Sequence, residues 1–386
     1  MNIADRVKSV SPSLTLAITA KAKSLKKQGL DVVGFGAGEP DFDTPDYIKE
    51  SAKQSIDKGF TKYTPVTGIP ELKKAICAKL KKENGLDYQP DNIAVTCGAK
   101  HALYNYFQAT TNPGDEILIP SPYWVSYPQQ VILAGAKPVF VQTTKQADYK
   151  VTVQLLEKYM TKKTSGLILN SPSNPSGMMY TDAELKSIAD FCVANNLPVI
   201  SDEIYEHLTY EFAHKSIASF GDGIKALTTI INGVSKSYSM TGWRIGYMAT
   251  DKEVIKSVNK IQGHSTSNPT SIAQVAALTA IEQGLDFVYK MRDEFKKRRT
   301  YMVDKLNSIK GISCILPQGA FYAFPDISQT GMDSFKFCEK LLDESHVAAI
   351  PGIAFGHDEN IRLSYACSME SIEKGLDRLE QFVCGI

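Results

Sequence analysis

The densest chemical pattern in the chain is Asn232-Gly233-Val234-Ser235-Lys236-Ser237-Tyr238-Ser239-Met240-Thr241-Gly242-Trp243-Arg244-Ile245-Gly246-Tyr247. It sets an amine beside a hydroxyl in a small, polar, glycine-containing loop and places a guanidinium eight residues later, just before another apolar run. An activated lysine amine attacks carbonyl carbons, although a lysine in such a loop is ordinarily a solvated surface residue. Other segments offer complementary groups. Cys97-Gly98-Ala99-Lys100 is a small-residue turn ahead of a helical pattern from His101. Free backbone N–H groups at a helix start suit a phosphate, and such turns are also ordinary strand–helix joints. Asn170-Ser171-Pro172-Ser173-Asn174-Pro175-Ser176-Gly177 is a turn-rich loop with two asparagines, a composition that needs no function. In Ser201-Asp202-Glu203-Ile204-Tyr205 a carboxylate follows a buried apolar run. It is costly there unless paired, or else it caps the next helix. Arg362, in Ile361-Arg362-Leu363-Ser364-Tyr365, reads on its own as a rim arginine on a strand.

What must position these groups is an alternation of short apolar runs and helix-length segments. The runs are Asn92–Thr96, Glu116–Ile119, Lys137–Val141, Gly166–Leu169, Pro198–Ile200, Thr228–Ile231 and Gly246–Ala249. Helical patterns cover Pro45–Lys58, Ile69–Glu83, Lys100–Thr111 and Asp182–Asn195. Such alternation predicts an α/β domain around a mostly parallel sheet. Ligands of such a sheet sit beyond the carboxyl ends of its strands, where Gly98, Asn170, Asp202 and Lys236 stand. The last hundred residues change pattern. A charged helix from Leu285 to Ser308 leads to Ile312–Leu316, Ala320–Phe324, a helix near Asp333–Glu344, the run Ile361–Tyr365 and a closing helix. This predicts a second, smaller α+β domain.

Composition narrows the function classes. The chain has 386 residues, 43% apolar and 22% charged, with 43 basic against 42 acidic side chains. Near-cancellation gives no electrostatic case for nucleic acid or an anionic membrane. Seven cysteines without a C-x-x-C spacing argue for reduced thiols in a cytoplasmic protein. The six histidines show no metal-ligand spacing. Ser13–Ala20 is apolar but runs into Lys21, Lys23, Lys26 and Lys27, which fits an amphipathic helix better than a signal peptide. No apolar run approaches the ~20 residues needed to cross a bilayer. Gly34-Phe35-Gly36-Ala37-Gly38 hints at a dinucleotide loop, but Glu39 and the turn-rich Pro40–Pro45 break the fingerprint.

Taken in order, Ser235-Lys236…Gly242-Trp243-Arg244 resembles the lysine signature of the class I/II aminotransferases, fold type I of the pyridoxal-phosphate enzymes, and the similarity runs from Gly38 to Arg362. Gly38-Glu39-Pro40-Asp41-Phe42-Asp43-Thr44-Pro45, Ser121-Pro122-Tyr123-Trp124 and Asp202-Glu203-Ile204-Tyr205 resemble the bacterial branch of aspartate aminotransferases. The resemblance implies a large domain over 46–284 that binds pyridoxal 5'-phosphate, and a small domain from 1–45 and 285–386. It makes Lys236 the Schiff-base lysine and proton shuttle. Asp202 becomes the partner of the pyridine nitrogen, while Tyr205, one helical turn on, and Asn174 bond the ring oxygen. Trp124 stacks on the cofactor and lines the substrate side. The phosphate falls to Gly98, Ala99, Lys100, Ser235 and Arg244, with Tyr63 reaching in from a neighbouring subunit of a homodimer. Some relatives carry a second serine three residues before the lysine, where this chain has Gly233.

For the substrate, the resemblance assigns the α-carboxylate to Arg362 and the main-chain N–H of Gly38, and a distal carboxylate to Thr15 and Lys100. A solvent-facing Lys100 is the alternative. The implied activity is ping-pong exchange between aspartate and 2-oxoglutarate, giving oxaloacetate and glutamate. The rivals are an aromatic, alanine or prephenate aminotransferase, a β-lyase of the same fold, or a binding protein without turnover.

Overall fold

The apolar runs between Ile93 and Ala249 form one seven-stranded sheet in the computed structural model, which describes residues 2–11 and 14–385. Across the sheet the strands are Ile93–Thr96, Gly246–Ala249, Thr228–Gly233, Val199–Asp202, Thr164–Asn170, Glu116–Ser121 and Lys137–Gln142. Gly246–Ala249 is antiparallel to both neighbours, and the remaining pairings are parallel. Ile93–Thr96, Val199–Asp202, Thr228–Gly233 and Gly246–Ala249 are buried along their whole length. A sheet covered on both faces buries both sets of side chains, which is why these strands read as continuous apolar runs.

Helices Asp46–Asp57, Pro70–Asn84, Ala99–Thr110 and Asp182–Ala194 follow the expected periodicity. The last is fixed by a capping box between Thr181 and Glu184. The helix expected over Ser13–Ala20 runs over Leu14–Lys27, and Ser13 lies outside the described residues.

Beyond Gly284 the chain forms helices Asp286–Ser308, Ser334–Ser345 and Met369–Cys384. Tyr322–Ala323, Ile361–Ser364 and Ile350–Pro351 make a small antiparallel sheet. Val347–Ala348 pairs in parallel with Val33–Gly34, which brings the N-terminal segment to the C-terminal part. Arg298, on the long helix, holds both Asp41 oxygens at 2.8 and 2.9 Å and so anchors the Gly38–Asp41 turn.

Two expectations change. Ile312–Leu316 forms no strand, only a single bridge from Ser313 to Asp326. Its central backbone groups are taken by a side chain instead: Cys314 N–H donates to Asn307 Oδ1 at 2.8 Å, and Asn307 Nδ2 donates to Cys314 C=O at 3.1 Å. Asp202 caps no helix, and Tyr205 is not a helical turn further on. Residues 204–207 are a run of turns in which Glu206 N–H bonds Glu203 C=O and Leu208 N–H bonds Tyr205 C=O.

Candidate active site

Strand ends on the carboxyl side of the sheet open into a cavity of about 580 Å³. Its wall takes Asn170 and Asp202 from strand ends, Ser235 and Lys236 from the loop after Thr228–Gly233, and Ala99 and Lys100 from a helix start. Gly38 and Glu39 come from the N-terminal turn, Thr15 from the helix Leu14–Lys27, and Arg362 and Tyr322 from the small sheet. Thus Thr15, Gly38, Ala99, Lys100, Trp124, Asn174, Asp202, Tyr205, Ser235, Lys236, Arg244 and Arg362, all singled out from sequence, line one space.

Lys236 Nζ donates to Gly38 C=O at 2.5 Å and lies 6.0 Å from the Phe321 ring centroid. Burial pushes its ammonium down to about 8; the Glu39 carboxylate opposes this, and Arg244 and Arg362 add to it. An amine of that basicity is neutral about a tenth of the time at pH 7, far more often than an ordinary lysine, and is a nucleophile in that form. Asp202 is 4% exposed, and burial pushes its carboxyl up to about 6 against the pull of Tyr127, the Ile204 N–H and Lys236. Tyr127 donates its hydroxyl to Asp202 Oδ2 at 2.6 Å, and the Ile204 N–H reaches Oδ1 at 3.3 Å.

An anion cradle lies at the start of helix Ala99–Thr110. Gly98 precedes it with φ +88°, and a Cβ there would meet Arg244 Nη2 at 2.4 Å. Arg244 is itself held by Thr241 C=O at 2.8 Å and Cys97 C=O at 3.3 Å. The Gly98 N–H is spent on Thr96 C=O at 2.7 Å and Gly98 does not line the cavity, whereas Ala99, Lys100 and Arg244 do, a helix start and a guanidinium together as a phosphate requires. Gly246 permits this closeness, since a Cβ on it would fall 2.2 Å from Ala99 N. The missing serine at Gly233 has a steric cause: a Cβ there would sit 2.8 Å from Gly246 Cα and 2.9 Å from Ile245 O.

Arg362, 4% exposed, donates from Nη1 to Asn174 Oδ1 and from Nη2 to Gly36 C=O, both at 3.0 Å, with the Tyr322 ring 4.4 Å beneath. Its Nε is buried with no hydrogen-bond partner among the described residues. A buried guanidinium with an unspent donor fits an incoming carboxylate. Lys100 Nζ lies 4.9 Å over the Trp124 ring, and burial, then Arg244, holds its ammonium below the usual lysine range. Thr15 is half-buried on the wall.

Tyr63 stands apart, 91% exposed and outside the cavity. Glu39, Tyr127 and Tyr322 belong to the site but were not identified from sequence. Glu39 Oε2 accepts from Thr241 at 2.7 Å, and the Tyr205 and Tyr322 hydroxyls are 3.0 Å apart. Tyr127 lies three residues past Trp124, just beyond the motif quoted above; nothing local marks Tyr322. Behind the lysine loop, His207 bridges Ser237 Oγ at 2.9 Å and Glu83 Oε2 at 2.8 Å. Two carboxylate–imidazole groupings share Glu206 there, with Glu83 and His207 and with Glu203 and His214. Lys79, Asn84 and Asn232 already bond the Glu206 carboxylate, so protein groups balance its charge.

Comparison with known proteins places this geometry. Residues 30–379 match the family described as aminotransferase class I and II. The chain is 50% identical to an aspartate aminotransferase of Bacillus sp. (strain YM-2), with 99% of each chain covered. It is 46% identical to an aspartate/prephenate aminotransferase of Cereibacter sphaeroides, covering 100% of this chain and 99% of the relative. A solved structure of aspartate aminotransferase from Thermus thermophilus with maleate superposes with a TM-score of 0.95 at 41% identity, over 99% of both chains. Because the family match spans most of the chain and full-length relatives share 46 to 50% of its residues, this chain belongs to the class I and II aminotransferases.

Proposed function

We propose that the protein moves the amino group of aspartate to 2-oxoglutarate, forming oxaloacetate and glutamate, with pyridoxal 5'-phosphate held in the 580 Å³ cavity. The residues present fit that cofactor: Ala99, Lys100, Ser235 and Arg244 line one part of the cavity in a way that suits its phosphate, and buried Asp202 lacks a cationic partner at hydrogen-bonding distance among the described residues. When bound, the cofactor supplies an aldehyde that condenses with amines and a ring that withdraws electrons from the substrate α-carbon. Lys236 would hold it through its Nζ; Gly98, Ala99, Lys100, Ser235 and Arg244 would hold its phosphate, and Asp202 its ring nitrogen. Asn174 and Tyr205 would bond the ring oxygen and Trp124 cover a face.

The protein's own groups then do the rest. Arg362, with Gly38, grips the α-carboxylate and fixes the α-carbon within reach of Lys236. Lys236 Nζ, neutral once free, would take the proton from that carbon and serve as the base and acid of the 1,3-proton transfer that exchange of the amino group requires. Lys100 and Thr15 receive the distal carboxylate, which selects dicarboxylic substrates. The observation that carries this reading is the free, buried Nε of Arg362 in the same cavity wall as the Lys100 ammonium. The name of the maleate-bound relative supports a dicarboxylate.

The large domain would span 46–284 and the small one 1–45 with 285–386. Tyr63, exposed here, would reach the phosphate site of a second subunit in a homodimer. Free cysteines at all seven positions support a cytoplasmic enzyme. Among the described residues no helix is long and apolar enough to cross a membrane.

A panel of donors and acceptors tests the reading, with Lys100→Ala beside the parent. Aspartate with 2-oxoglutarate should lead, and Lys100→Ala should raise KM for aspartate about tenfold while sparing an aromatic donor. Equal losses on both donors would refute the distal-carboxylate role. Borohydride trapping that labels any residue but Lys236 would refute the whole.

A further inference from the structure

We propose that Tyr127 is a positioning residue of this reaction: its buried hydroxyl keeps Asp202 ionised and turned toward the cofactor ring nitrogen. The proposal rests on the reading of Asp202 as that nitrogen's partner. Tyr127 is 2% exposed and Asp202 4%, so neither can exchange this hydrogen bond for one to water. The bond is short, 2.6 Å from the hydroxyl to Oδ2, the length of a charge-assisted O–H···O⁻ contact. Among the described residues the other oxygen has only the Ile204 N–H at 3.3 Å.

Asp202 thus depends on one strong donor for its charge. The other ionisable groups facing it are Lys236 on the neighbouring loop, which favours the ionised form, and Glu203, just past the end of its strand, which opposes it. Tyr205 on the following turn faces it as well. Burial and Asp202 itself hold the Tyr127 hydroxyl far above the usual tyrosine range, so it stays protonated and donates throughout the working pH.

Position gives Tyr127 a second use. It opens the helix Ser126–Leu133, its N–H bonds Trp124 C=O at 3.0 Å, and its ring meets Trp124 edge-on with centroids 5.3 Å apart. The same helix start therefore fixes the ring assigned to the cofactor face and the donor under Asp202. Without the hydroxyl, a more basic carboxylate would keep the proton shared with the ring nitrogen, and the ring would withdraw fewer electrons.

The test uses holoenzyme loaded with ring-¹⁵N pyridoxal 5'-phosphate. Tyr127→Phe should move the ¹⁵N resonance toward its unprotonated position and lower kcat for aspartate about tenfold with little change in KM. Asp202→Asn, run in parallel, separates the two readings. If Asp202→Asn leaves resonance and kcat unchanged, the assignment of Asp202 fails and takes this proposal with it. If Asp202→Asn changes both and Tyr127→Phe neither, Tyr127 is only a packing residue and the proposal alone is overturned. Should the phenylalanine variant not fold, 3-fluorotyrosine at 127, a stronger donor of nearly the same shape, should move the resonance the opposite way. An unmoved resonance would overturn the proposal.

Discussion

Asp202→Asn should make the cofactor-free protein more stable at pH 8, although it removes a group placed at the heart of the site. Burial raises the Asp202 carboxyl from the ordinary 3.8 to about 6 in the folded chain. A raised acid contributes stability that is complete below the unfolded value and is lost as pH climbs through the folded one. At ~1.36 kcal/mol per pH unit, the parent gives up about 3 kcal/mol by pH 8. An amide escapes that loss but forgoes one carboxylate contact, the 3.3 Å bond from the Ile204 N–H, worth about 1 kcal/mol. The net gain is about 2 kcal/mol at pH 8 and shrinks to about 0.5 kcal/mol at pH 5, where the parent is largely protonated when folded. Urea unfolding of both apo-proteins at the two pH values, followed by circular dichroism, measures it. Adding pyridoxal 5'-phosphate should reverse the order, because only the carboxylate can hold a protonated ring nitrogen. A variant no more stable than the parent at pH 8, or one whose advantage ignores pH, would refute the reasoning.

Arg362→Lys keeps the charge but loses the planar fork shared with Asn174 and Gly36; KM for aspartate and for 2-oxoglutarate should both rise about 10- to 100-fold in steady-state assays. Gly98→Ala must force φ +88° on an L-residue and press a methyl to 2.4 Å from Arg244 Nη2. Equilibrium dialysis should then show pyridoxal 5'-phosphate bound at least about tenfold more weakly. The Lys236 ammonium, lowered by burial to about 8, is charged below that pH and neutral above it. Stopped-flow recombination of apo-protein with the cofactor should accelerate from pH 6.5 to 8 and level off beyond, and a rate still climbing at pH 10 would contradict the lowered value.

Much of this was legible in the sequence because the burial pattern and the ligand positions obey one rule. Strands covered on both faces must be apolar throughout, so the four buried along their whole length stood out as continuous runs, and the other three carried enough apolar residues to be seen beside them. Groups that follow them directly, such as Asp202 and Lys236, inherit a place at the cavity. The fold and twelve cavity residues, Thr15 to Arg362, came from that logic together with the family likeness. What failed was decided at a distance. Ile312–Leu316 has strand-like composition, yet Asn307 claims its backbone, a tertiary contact no local pattern announces. Asp202 looked like a helix cap because caps and buried partners use the same residue type. Tyr127 and Tyr322 are tyrosines among 18, and only their hydroxyl partners distinguish them. Tyr63 could be seen in sequence only through the likeness, and within one chain it has nothing to reach.

Gly233 and Gly246 face each other in register across adjacent strands, and neither has room for a single added carbon. The ledge under the anion cradle is therefore main chain resting on main chain. Chemistry that cannot be altered by exchanging side chains is sheltered from most point mutations except those that break it outright. On the proposed reading, any retuning of the grip on a phosphorylated cofactor would fall to the side chains of the rim, Ser235, Arg244 and Lys100, while the ledge fixes where that rim can stand.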